Sequence, residues 1–148
     1  MRNTFDVQRS HVTAWPKVYS GSDAPREVLD LAAVLMPRLL DGEHRSHEVL
    51  RAQYARCAIT SVELTGVGFF VNFAVPEDVE RCVPADIAGG DAVIWYAESP
   101  VQAGCVLFVR DGVLHDLEVY TFDGEWPEHA TVTSVEFVMP LPIGAEPV

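Results

Sequence analysis

Val28, Leu31, Ala32 and Leu35 recur at i, i+3, i+4 and i+7, the spacing of one buried helix face. Ser22 or Asp23 stands where a helix is capped, and Pro25 suits the first turn. Pro37 is expected to break or kink the helix and Asp41-Gly42 to end it. A second helix is expected from about Glu43 to Arg56, with Val49, Leu50 and Tyr54 on a narrower stripe. At Ala58 the pattern becomes alternating. Ile59 to Thr65 reads as a strand, and Gly66 and Gly68 bracket a turn. Val67, Phe69, Val71, Phe73 and Val75 form one apolar face of the next strand, which Pro76 ends. Glu77 to Gly90 reads as a loop, Ala92 to Glu98 as a third strand and Thr131 to Met139 as the last. Met1 to Gly21 shows no clear period and is expected to be an irregular arm held by Trp15 and Tyr19.

The sharpest local signal lies between these elements. Ala103 to Arg110 and Val113 to Phe122 flank Asp111-Gly112, a dipeptide that tolerates the positive φ angles of a tight hairpin turn. A strict two-residue turn pairs Phe108 with His115, Val106 with Leu117 and Gly104 with Val119, and that face is assigned to the helix-covered core. Asp116, Glu118, Tyr120 and Phe122 then share the opposite face in a row. The whole is an α+β domain spanning 1–148: an arm over 1–21, a helical part over 22–56 and a β-rich part over 57–148. The helices pack on one face of a five- to six-stranded, mainly antiparallel sheet.

Charge adds a second asymmetry. The chain has 148 residues and a formal net charge of −12. Up to Arg56 there are eight basic and seven acidic residues; from Cys57 onward there are two basic and fifteen acidic. Such a field repels phosphate backbones, which argues against nucleic acid, and attracts basic proteins. It also serves solubility. Cys57, Cys82 and Cys105 are widely spaced and odd in number, which suits reduced core thiols rather than a disulfide framework. Met1 to Ser20 has no apolar signal region, and no apolar run reaches the ~18 residues of a membrane helix, so a cytoplasmic chain without a membrane partner is expected.

Candidate chemistry is sparse. Asp116 and Glu118, two residues apart on one strand face, could serve acid–base or metal chemistry, but such a row is more often a solvated face. His44 and His47 stand at i, i+3, yet their order fits neither H-E-x-x-H nor H-x-x-E-H, and no third ligand follows. A solvated helix start and no metal are expected there. No G-x-S-x-G or phosphate-loop motif occurs, and no cofactor is implied. Trp126, beside Pro127, suits either a buried loop anchor or an exposed aromatic contact.

Several stretches together resemble a group of small bacterial proteins without an assigned activity. They are Leu50-Arg51-Ala52-Gln53, Glu63-Leu64-Thr65-Gly66-Val67-Gly68-Phe69-Phe70, the strand from Gly104 to Gly112, and Leu117-Glu118-Val119-Tyr120-Thr121 with Glu125-Trp126-Pro127. The resemblance covers roughly Leu50 to Pro127, departs from the group between Val83 and Ala103, and implies no reaction. The expected function is therefore a non-enzymatic, acidic binding protein that engages a basic protein, with a toxin-neutralising immunity protein as the concrete form. Asp116, Glu118, Tyr120, Asp123 and Trp126 are its candidate contact residues. A small enzyme using the sheet-face carboxylates is the alternative, and a structural subunit or homo-oligomer with edge-strand pairing, a homodimer among its forms, is a third reading.

Overall fold

The structure is a computed structural model, and it describes residues 15–143. A strand comes first: β1 (Lys17–Ser20), followed by a single 3-10 turn over Gly21–Asp23. The helices α1 (Arg26–Leu39) and α2 (Arg45–Arg56) come next. Then come β2 (Ala58–Leu64), β3 (Gly68–Ala74), β4 (Ile87–Gly89), β5 (Asp91–Tyr96), β6 (Ala103–Arg110), β7 (Val113–Thr121) and β8 (Val132–Met139). The strands form one eight-stranded antiparallel sheet in the order β1-β2-β3-β7-β6-β5-β8, with β4 also paired to β6. The α+β class expected from the pattern holds. The strand count is higher, and one strand precedes the helices.

β1 and β4 are the two additions, of four and three residues. Each is too short to show a period. Both are made by a neighbour: β1 adds to β2 from Lys17↔Leu64 to Ser20↔Ser61, and β4 adds to β6. The expected arm is thus a strand over Lys17–Ser20, and its earlier part lies outside the described residues. β4 and β5 read as one strand interrupted at Gly90, since β6 pairs with both.

α1 buries Val28, Leu31, Ala32, Leu35, Met36 and Leu39, the stripe its spacing demands. Pro25 precedes the helix and neither Ser22 nor Asp23 caps it. Pro37 does not break it. It sits in the last turn, where its missing N–H costs one bond, and the helix ends two residues later. Arg51 Nη1 donates to the carbonyls of Leu40 (2.7 Å) and Gly42 (2.9 Å) just beyond that end.

Both helices pack on the sheet face that carries Val62, Leu64, Phe69, Val71, Leu107, Val109, Leu117 and Val119, and these residues form one core. Trp126 closes it. The residue is 2% exposed and its ring lies against Phe69 and Tyr96, and the Tyr96 hydroxyl donates to the Glu125 carbonyl at 2.7 Å. Cys82 and Cys105 are buried, Cys57 is half-buried, and all three are free thiols; burial pushes the Cys105 thiol up to about 12, with Asp91 adding to it. No helix among the described residues is long and apolar enough to cross a membrane.

Gln53 connects the layers. Only 1% exposed, it donates through Nε2 to the carbonyls of Glu80 and Gly112, both at 2.9 Å, and its Oε1 accepts from Leu114 N at 2.9 Å. One helix side chain thereby fixes the hairpin turn. Asp111 (φ 57°) and Gly112 (φ 80°) both have positive φ, as a tight hairpin turn of this hand requires.

Candidate functional site

The second face of the sheet has no helix on it among the described residues. Its side chains follow from alternation and register. β7 is central and presents Asp116, Glu118 and Tyr120 there, because Leu117 and Val119 point into the core. β3 contributes Phe70 and Asn72, β2 Ser61 and Glu63, β6 Val106 and Phe108, and β5 Asp91, Val93 and Trp95.

The expected row of Asp116, Glu118 and Tyr120 is therefore present, but its β6 neighbours are not those a strict turn gives. Arg110↔Val113 and Val109↔Leu114 pair as expected. The ladder then slips by one, so Phe108 meets Asp116, Val106 meets Glu118 and Gly104 meets Tyr120. A β-bulge at His115 absorbs the extra residue. The core face of β6 is consequently Ala103, Cys105, Leu107 and Val109, all buried, and not Gly104, Val106 and Phe108. His115, placed in the core by the strict pairing, is exposed. Both faces of β6 are apolar, so composition could not choose between them. The signal was Leu114 and Leu117, two core residues three apart, which strict alternation cannot place on one side.

The bulge brings His115 Nδ1 into contact with Asp116 Oδ1. The Asp116 side chain is 7% exposed and that of His115 52%, so a buried carboxylate holds an exposed imidazole. Beside Asp116 across β3 stands Asn72, whose Nδ2 donates to Ser61 Oγ at 3.0 Å. The next row reads Glu63, Phe70, Glu118 and Val106 across four strands. Partial burial, and then the negative charge of Asp116, hold the Glu118 carboxyl above its ordinary range. Burial, followed by Asp91, Cys105 and Glu118, pushes the Tyr120 hydroxyl up. Tyr120 lies between Gly68 and Gly104. A Cβ on Gly104 would meet the Phe122 ring at 2.9 Å and the Tyr120 hydroxyl at 3.1 Å, so only glycine lets both rings settle over β6. Phe122 remains 53% exposed.

Pairing separates these acids from others in the molecule. Glu27, Asp30, Glu48, Asp78, Glu80 and Glu128 each have a cationic or histidine partner. Glu63, Asp91, Glu118 and Glu136 have no hydrogen-bond or ion-pair partner among the described residues. Arg110 is the one cation that alternation places on this face among those residues. It lies at the turn end, 5.0 Å from the centre of the Phe108 ring.

Two candidate residues belong elsewhere. Trp126 is buried in the core and is no contact surface. Asp123 is exposed in the loop that follows Phe122, beyond the sheet. His44 and His47 are not simply solvated. His44 Nδ1 caps α2 by accepting from Ser46 N at 3.0 Å, while buried His47 bonds the Leu141 carbonyl through Nε2 at 2.7 Å. Among the described residues no group of three His, Cys, Asp or Glu side chains converges to hold a metal ion. No protein-family model, curated protein or solved structure matches this chain.

Proposed function

We propose that the chain is a small binding protein that engages a basic protein through the open face of its sheet. The observation that carries this reading is the unpaired set Glu63, Asp91, Glu118 and Glu136, interleaved with half-buried Phe70, Val93, Trp95 and Val106. Glu63, Asp91 and Glu118 are half-buried among apolar neighbours, which lowers the local dielectric, so an incoming Lys or Arg is attracted more strongly there than at a fully solvated acid such as Glu136. The raised Glu118 carboxyl is the local cost of that arrangement, and a cationic partner relieves it. A protein that neutralises a basic toxin is the concrete form, and the resemblance to small bacterial proteins is compatible with it.

The test begins with the full chain immobilised in host extract at low salt, followed by purification of the retained basic protein and reconstitution of the pair. The Glu63→Gln, Asp91→Asn, Glu118→Gln triple variant should bind that protein at least about tenfold more weakly, mainly through slower association. Its melting temperature should not fall. Wild-type association should slow steeply with salt, since exposed charges are screened beyond about 8–10 Å. Equal affinity of wild type and variant would overturn the assignment, as would retention of no basic protein.

One observation favours a second reading, a small enzyme. A buried Asp116 on His115 Nδ1 leaves Nε2 free towards solvent, the arrangement by which a carboxylate orients an imidazole base. A turnover abolished in His115→Gln, with partner binding intact, would select it.

A further inference from the structure

The sheet has two edges, and they differ in kind. β1 is four residues long, carries Lys17, and its Lys17 and Tyr19 side chains are tied to Glu128. Short length and a lysine are the usual means of keeping an edge from pairing. β8 is eight residues long and has no lysine, arginine or proline within it; Glu136 is its one charge. Among the described residues it pairs with β5 on one side and with no strand on the other. Bulges at Thr133 and Val138 interrupt the strand, and between them the outer N–H and C=O groups of residues 134–137 form a short open ladder.

α1 runs alongside that ladder in the same direction. Its early turns meet the start of β8 in a groove of about 360 Å³ lined by Glu27, Asp30, Leu31, Val34, Val132 and Val135, with Thr131 and Ala130 at the end. Its last turn meets the end of β8, where Arg38 lies 4.2 Å from the centre of the Phe137 ring, with Asp41 and Met139 beside it. Among the exposed large apolar side chains, Val34 (50%), Val138 (52%) and Met139 (48%) all belong to α1 or β8.

We propose that this edge is the interface with a second copy of the chain, β8 pairing antiparallel with its two-fold mate to continue the sheet across both molecules. The occupant follows from the order of charge along α1. Glu27 and Asp30 stand at one end of the seam and Arg38 at the other, with apolar Val34 between them. An antiparallel two-fold sets the acidic end of each helix against the Arg38 end of its mate and brings the two Val34 side chains near the axis. It also opposes the two helix dipoles. Asp30 and Glu27 already have local partners in Arg26 (3.1 Å) and His129 (3.0 Å), all with side chains at least 38% exposed, so the charge term sets orientation while the ladder and the apolar residues supply the affinity. The two surfaces share only Glu136 of β8, and the Glu63, Asp91, Glu118 variant leaves β8 unaltered, so either assignment can fail without the other.

The test is sedimentation equilibrium on the full chain from micromolar to millimolar concentration. Wild type should be a reversible dimer. Val34→Lys should weaken it at least about tenfold with an unchanged melting temperature, because the like charges meet at the axis. Arg38→Glu alone and Glu27→Lys, Asp30→Lys together should each weaken it, and an equimolar mixture should restore a heterodimer, which rules out misfolding as the cause. Hydrogen exchange should show the outward β8 amides slowing with concentration. A wild-type monomer throughout, a dimer whose β8 amides exchange as fast as in dilute solution, or an edge that pairs with an added basic peptide but never with itself would overturn the proposal. The Glu63, Asp91, Glu118 variant should remain dimeric, and Val34→Lys should still retain the basic partner.

Discussion

The two faces of β6 and β7 are made from much the same alphabet, yet they do opposite things. On one face Cys105, Leu107, Val109, Leu117 and Val119 are at most 1% exposed beneath the helices. On the other, Val106, Phe108 and Tyr120 stay half-buried beside Asp116 and Glu118. Hydrophobicity does not distinguish them; the carboxylates do. A face that must pack a helix excludes charge, whereas a face kept open tolerates apolar groups provided acids are set among them. The comparison shows that the acid positions, rather than the apolar ones, tell the uncovered face of the sheet from the covered one.

The contrast breaks most severely on the covered face. Leu107→Ala should lower stability by about 2–5 kcal/mol, the range for a buried leucine leaving a cavity, whereas Val106→Ala on the same strand should cost under about 1 kcal/mol in chemical denaturation. If the two cost the same, the face assignment of β6 is wrong. Gly112→Val comes next. Its φ of 80° strains a β-branched residue, and the new Cβ would sit 2.7 Å from Arg81 Cβ, so a loss of about 1–3 kcal/mol is expected in a thermal melt. Gln53→Leu should cost on the order of 1–3 kcal/mol, since it leaves buried backbone groups of Gly112 and Leu114 without their helix partner.

The smallest effect has the opposite sign. The Glu118 carboxyl is raised in the folded chain, so its protonated form is the one the fold favours. Its contribution is full below the unfolded pKa and is lost as pH rises through the folded value. Glu118→Gln should therefore raise the melting temperature slightly at pH 7, and the gain should vanish in acid below the ordinary carboxylate range. A fall in melting temperature at pH 7 would show that Glu118 has a structural cation.

Much of this architecture is legible in the sequence. The α1 stripe, the Asp111-Gly112 turn and the row from Asp116 to Tyr120 are local, and local periodicity reports them. What escaped needs a neighbour to exist. β1 and β4 are strands only because β2 and β6 supply their bonds. Pro37 looks like a breaker until its place in the last turn is known. Gln53 looks like a solvated helix residue until the hairpin folds over it. The His115 bulge hid the β6 faces, because a tight turn predicts register only while the ladder stays regular. The open set of Glu63, Asp91, Glu118 and Glu136 comes from different strands and is visible only once the sheet is assembled.

The placement of the tryptophans gives the molecule its own optical reporters. Trp126 is enclosed with Phe69 and Tyr96, so its emission should lie to the blue, resist acrylamide and shift only when the core melts. Trp95 sits half-buried on the open face beside Val93, within reach of solvent and of anything that lands there. Quencher access to Trp95 should fall when that face is covered while the Trp126 signal stays fixed. With Trp15 replaced by phenylalanine, unlabelled protein should distinguish occupation of the sheet from unfolding in one cuvette.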